Sequence, residues 1–185
     1  MATVTINNSP IHSDSILTAV YGDTGSSWSC GFHTGIDFAP TGDTPANPDL
    51  FSVVTGQVVE IHSSPTGDLG CYVVIQDQNM DYWRYCHMVE GSIAVVQGQL
   101  VDTNTKIGNM GDTGQAYGVH LHLEHATTIN WSCATFLNPC DYLQIPNERG
   151  TIVLYDGSIV PTVTEELKHK FPWAILTRKY RRRRY

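Results

Sequence analysis

At 185 residues the chain is long enough for one domain with a proper core. Its 18 acidic residues outnumber 11 Lys and Arg, for a net charge of −7. The balance is uneven: Lys168, Lys170, Arg178, Lys179 and Arg181 to Arg184 crowd residues 168–185, where no acid occurs. The acidic body argues against nucleic acid as the main ligand, and no apolar run approaches the ~20 residues of a membrane-spanning helix.

The N-terminus, "MATVTINNSPIHSDS", shows neither the basic region nor the apolar region of a signal peptide. A soluble protein outside the usual secretory route is expected. Cys30, Cys71, Cys86, Cys133 and Cys140 form no CxxC pair, and an odd number suits a reducing cytosol. Buried free thiols are expected, with a Cys133–Cys140 pairing as the alternative.

Glycine, proline and β-branched runs with few charges point to a mostly β chain. "TVTI" alternates as a strand near the start. A glycine- and serine-rich loop, "YGDTGSSWSCGF", leads into "HTGIDFAP". Strands are expected at about 51–62, 71–77, 82–88 and 119–126, separated by the turn clusters "SSPTGDLG", "QDQNMD" and "GNMGDTGQAYG". Residues 92–107 read as two short strands across Gly98. Near residue 145 the character changes. "TIVLYDGSIVP" suggests a hairpin turning on Asp156-Gly157, and "TVTEELKHKF" a short helix with a Thr162–Glu165 capping box. The expected division is an N-terminal segment (1–17), a main domain (18–145), and a hairpin, short helix and basic tail (146–185).

Chemistry centres on "YGVHLHLEH", residues 117–125. On a strand, Leu121 and Leu123 face one side and His120, His122 and Glu124 the other. In "HTGID", His33 and Asp37 would stand about 13 Å apart on a straight strand, so the chain must bend for them to share an ion, which Gly35 makes easy. Two histidines and an aspartate with one position left for water would be an open, catalytic type of zinc site. HExxH, with its adjacent glutamate base, is missing. Proton handling then falls to His87, in "RYCHM", and to the first histidine of the HxH pair. His12, His62, His125 and His169 read as ordinary surface or hydrogen-bonded histidines.

"HTGIDFAP", "YCHM" and "GNMGDTGQAYGVHLHLE" resemble, in order and spacing, the three motif blocks of the lysostaphin/LytM-type zinc endopeptidases, which cut peptidoglycan peptides. The resemblance covers roughly residues 18–145. It implies a compact, mostly antiparallel β-sheet domain whose groove holds Zn2+ on its floor. By that resemblance His33, Asp37 and His122 are the metal ligands, and His87 and His120 the catalytic pair, in an order the sequence leaves open. Glu124 is a candidate outer partner for a ligand ring. Cys86, Met88 and Leu123 depart from the usual pattern without removing a ligand. The glycine-rich loop before His120 would wall the groove, with Tyr21, Trp28 and Tyr117 as candidate lining.

The implied substrate is bacterial peptidoglycan. Bacterial members of the family usually carry a signal peptide or anchor, so the expectation is a phage enzyme, borne on the virion tail and docked to tail structural proteins through the basic tail. It would reside in the virion, or in the host cytoplasm before release, and act at the cell wall. The alternatives are an endolysin released through a phage-made membrane hole, and a non-catalytic phage protein that keeps the fold.

Overall fold

A computed structural model of the chain describes residues 1–157. The expected capping-box helix, the basic tail and the second arm of the late hairpin lie outside the described residues. Twelve strands and one short helix follow in order: β1 (Thr3–Ile6), β2 (Ser15–Ala19), β3 (Gly35–Pro40), β4 (Asp49–Phe51), β5 (Gly56–His62), β6 (Cys71–Asp77), β7 (Tyr82–Met88), β8 (Leu100–Val101), β9 (Lys106–Asn109), β10 (Leu121–Ala126), β11 (Phe136–Leu137), α1 (Pro139–Leu143) and β12 (Ile152–Tyr155).

Ten of these strands form one sheet, in the order β1-β12-β2-β3-β10-β7-β6-β5-β8, with β11 beside β10. Its pairings are antiparallel except β1 with β12. β4 and β9 make a second, two-stranded sheet. Through β1 and β12 the described parts of both terminal segments join the main sheet. Among the described residues no helix is long and apolar enough to cross a membrane.

The register of three central strands places the chemistry. Leu123 of β10 stands opposite Ile36 of β3 and Tyr85 of β7. These three side chains are fully buried, as are Phe38, Leu121 and Trp83. Alternation turns the neighbouring rows to the other face. There His122 stands opposite Asp37 and Cys86, and Glu124 opposite Gly35 and Arg84.

Gly35 opens β3 with a φ outside the left-handed region. His33 lies in the loop before β3, so its distance to Asp37 is not that of a straight strand. Gly35 is a point of close approach: a Cβ there would lie 2.3 Å from the Leu123 carbonyl oxygen and 3.0 Å from Glu124 Cγ. Its bare backbone makes room for Glu124.

β7 carries a second local device. Val73 of β6 pairs with Tyr85, and Cys71 with Met88, so Cys86 and His87 together oppose Tyr72. This is a β-bulge. Strict alternation after Arg84 and Cys86 would send His87 to the core. With the bulge and a φ of 60° at His87, the ring turns to the groove. The His87 N–H donates to the Leu69 carbonyl at 2.9 Å, and Nδ1 stands 2.8 Å from the Thr113 carbonyl.

Three expectations change in detail. The strand foreseen over 51–62 is broken at 52–55, where the Val53 N–H donates to the Tyr85 hydroxyl at 2.8 Å. Both short strands foreseen across Gly98 lie after it, as β8 and β9. Cys133 and Cys140 do not pair: Cys30 and Cys133 form a disulfide, while Cys71, Cys86 and Cys140 are buried free thiols. Spacing in sequence could not reveal a bond between residues 103 positions apart.

Two measurements test these local arguments. Gly35→Ala is expected to lose about 1–3 kcal/mol by overpacking, seen as a lower urea midpoint. Burial holds the His87 imidazole down at about 4, against the partial support of the Thr113 carbonyl. A depressed histidine leaves stability intact above its ordinary value near 6.5 and removes it as pH falls toward 4. In EDTA, His87→Asn, which tolerates the left-handed backbone, should therefore lose about 1–2 kcal/mol less than wild type between pH 7 and 4.5.

Candidate metal centre and groove

The loop before β3 brings His33 against β10, and the register does the rest. His33 Nδ1 lies 3.1 Å from the Val20 carbonyl oxygen, and His122 Nε2 lies 3.2 Å from Glu124 Oε1. Both partners only accept, so in the neutral rings these outer nitrogens carry the protons. The inner nitrogens, His33 Nε2 and His122 Nδ1, are then lone pairs facing each other at 3.0 Å. Each also faces Asp37 Oδ1, at 3.1 and 2.8 Å respectively.

Three donor atoms in such a triangle repel one another unless positive charge sits among them. Donors about 2.0–2.2 Å from a zinc ion stand roughly 3.3–3.5 Å apart in a tetrahedron, close to the spacing found. The electrostatics agree. Burial favours the neutral ring of His122, yet the carboxylates of Glu124 and Asp37 overturn it and push the ring up to about 10. Burial likewise opposes ionisation of Asp37, but its bonds to His122 and His33 hold it well below the carboxylate range. The residues fit a divalent cation: two imidazole nitrogens and one carboxylate, with tautomers fixed from behind.

Behind His122, Glu124 is nearly fully buried. It accepts from Thr34 Oγ1 at 2.6 Å and from Arg84 Nε and Nη2 at 2.6 and 2.5 Å. The desolvation of its carboxylate is outweighed by His122 and Arg84, which bring it down to about 2. A buried charge so thoroughly partnered has little freedom to turn.

His87 and His120 stand beside the triangle, their ring centroids 4.7 Å apart. His120 Nδ1 lies 2.9 Å from the Gly118 carbonyl, as His87 Nδ1 does from Thr113. Both rings therefore present Nε2 away from the backbone, and His120 Nε2 lies 3.9 Å from Asp37 Oδ2. All five side chains open into one groove of about 1080 Å³.

Of the three aromatics expected to line the groove, Trp28 and Tyr117 do so, and Tyr21 instead donates its hydroxyl to the Phe136 carbonyl at 3.1 Å. Trp131 was not foreseen. It lies over the Arg84 guanidinium, with Cζ 4.0 Å from the ring centroid. The disulfide links the Trp28 and Trp131 loops, and closing a loop of that span contributes roughly 4–5 kcal/mol in the chain-entropy account.

A second His and Asp group, Asp77, Asp81 and His125, lies near the β6–β7 turn. Both oxygens of Asp77 already accept there, from the Asn79 and Asp81 N–H groups and from Trp83 Nε1. His125 stacks on Trp83 at 4.0 Å. This group organises a hairpin.

The profile of Peptidase family M23 matches residues 31–131, which hold all five of these side chains. Peptidoglycan DD-endopeptidase ShyB of Vibrio cholerae is 37% identical over 92 residues, 50% of this chain and 20% of that protein. Endolysin 2638A of Staphylococcus phage 2638A is 33% identical over 99 residues, 51% of this chain and 19% of that one. The chain thus spans about a fifth of the length of these curated relatives. The catalytic domain of the antimicrobial peptidase lysostaphin from Staphylococcus simulans is alike in fold. Its TM-score is 0.57 over 70% of this chain and 92% of that chain, at 24% identity. Since the matched span is more than half of the sequence and carries the donor triangle, the chain belongs to Peptidase family M23, a family of zinc metallopeptidases.

Proposed function

We propose that residues 18–145 are a zinc endopeptidase unit that hydrolyses peptide bonds of bacterial peptidoglycan. His33, Asp37 and His122 are its metal ligands, and His87 and His120 its catalytic pair. The observation that carries this reading is the donor triangle, 2.8–3.1 Å on a side, open to a groove that two further imidazoles share. The relative named a peptidoglycan DD-endopeptidase supports the substrate class.

Bound zinc supplies Lewis acidity and a water acidified toward neutrality. The protein's own groups do the rest. His87 is held neutral by burial and offers the Nε2 lone pair, so it accepts a proton from the attacking water. The proton taken up at His87 must reach the departing amine, and His120, its ring centroid 4.7 Å away, is placed to pass it on. The wall formed by Gln115, Tyr117 and Gly118 leaves space for an extended peptide.

For the setting, we infer a phage particle, with the basic run over residues 168–184 docking on tail proteins. That run of Lys and Arg without acid supports the docking. The likeness to a phage endolysin favours a second reading, release at lysis. Mass spectrometry of purified particles decides between them: presence supports the first, and appearance only in the lysate supports the second.

His33→Ala or His122→Ala is expected to abolish both zinc retention and clearing of a cell-wall suspension, read by metal analysis and turbidity. His120→Ala should keep zinc and lower the rate by about 10²–10⁴-fold. A wild-type preparation that clears walls equally well with and without chelator overturns the zinc mechanism. One that clears none favours a non-catalytic wall protein.

A further inference from the structure

The tripeptide Trp-Ser-Cys occurs twice, at residues 28–30 and 131–133. Its two cysteines are bonded to each other, with Cα atoms 5.6 Å apart. The copies therefore form one cross-linked pair along the groove. Each tryptophan leans on a different support of the donor triangle. The Trp28 ring centroid is 5.1 Å from that of His33. Trp131 stacks on Arg84, Arg84 grips Glu124, and Glu124 receives the His122 Nε2–H.

Apart from this bond, the two loops are held mostly by their own local hydrogen bonds, such as Gly31 N–H to the Trp28 carbonyl and Thr135 N–H to the Ser132 carbonyl, both at 2.8 Å. Ser26, Ser27, Ser29, Ser132 and Cys133 are exposed. In the first loop, the bonds from Gly25 N to Gly31 O and from Trp28 N to Gly25 O are each 3.5 Å long. Trp131 has φ 50°, unfavourable for a bulky residue, and holds it with a half-buried ring.

We propose that Trp131 and Arg84 are positioning residues: clamped by the Cys30–Cys133 bond, they hold His122 in its metal-binding orientation through Glu124. This rests on the assignment of His33, Asp37 and His122 as zinc ligands. A consequence is that the chain with both thiols free retains zinc less tightly, so the centre gains affinity when the bond closes. Closure by thiol–disulfide exchange passes two electrons and two protons from Cys30 and Cys133 to an oxidised partner such as glutathione disulfide, which leaves as two glutathione thiols.

The test is zinc affinity of the purified full chain, by competition with a chromophoric chelator, for oxidised wild type, Trp131→Ala, Trp131→Phe, Trp131→Gly and the double variant Cys30→Ser/Cys133→Ser. Folding of each is checked by its urea midpoint. Trp131→Ala and the double variant are expected to bind zinc about 10–100-fold more weakly. Trp131→Phe, which keeps a stacking ring, should recover most of that loss. Trp131→Gly, which relaxes the backbone without restoring a ring, should not. Affinities equal to wild type throughout, or recovery by Gly as full as by Phe, overturn the clamp while leaving the ligand assignment standing. Failure of oxidised wild type to bind zinc at all overturns the ligand assignment and the clamp with it.

Discussion

Three lone pairs aimed at one point are the constraint from which the rest of this site follows. His33 Nε2, His122 Nδ1 and Asp37 Oδ1 lie 2.8–3.1 Å from one another. Their outer partners, the Val20 carbonyl and Glu124, leave neither ring free to turn its proton inward without losing a buried hydrogen bond. An unpaired buried acceptor costs about 1–3 kcal/mol, so both tautomers are firmly set. The centre is thus built for a cation before one arrives, which is how a preorganised site avoids reorganisation on binding.

That geometry is a product of strand register. Asp37 and His122 stand opposite each other because Ile36 and Leu123 stand opposite each other in the core. A slip of one residue would exchange the two faces, burying His122 and Asp37 and exposing the leucines. The hydrophobic row therefore fixes the polar one. The same logic places Arg84 and Glu124 in one row, with Gly35 on the third strand supplying only space. Removing Arg84 would leave the Glu124 carboxylate buried beside a donor ring, which is why this ion pair specifies orientation more than it adds net stability.

How much of this is readable in the sequence depends on the range of the interaction. The alternation of "HLHLE" and the spacing of "HTGID" are local, and the five side chains they and "YCHM" single out are found around one groove. The mostly β architecture follows from β-branched runs such as "CYVVIQD", which becomes the fully paired β6. What stayed hidden was non-local or conformational. Cys30 meets Cys133 only because two loops converge beside β10, whereas the sequence offered Cys133–Cys140 as its one candidate pairing. The duplicated Trp-Ser-Cys was the available signal. The bulge that aims His87 depends on the pairing of β6 with β7, which no pattern within "YWRYCHM" reveals. Gly35 reads in the sequence as the residue that eases bending, and its close approach to Leu123 is visible only once β3 and β10 are paired.

Backbone strain is distributed in a telling way. Four non-glycine residues in the described chain have positive φ: Met80, His87, Trp131 and Gln144. Met80 lies in a hairpin turn and Gln144 caps α1, where such conformations are ordinary. His87 lies within β7 and Trp131 in the loop between the paired strands β10 and β11, and both face the groove. A strained residue of this kind costs on the order of 1–3 kcal/mol and persists only where its surroundings over-determine it. For His87 the determinants are two hydrogen bonds and the packing of Gly111, where a Cβ would fall 2.8 Å from the His87 carbonyl oxygen. For Trp131 they are the guanidinium it covers and the disulfide two residues on. Two of the four uncomfortable backbone conformations thus belong to side chains that line the groove. Relaxing either would release strain and lose aim.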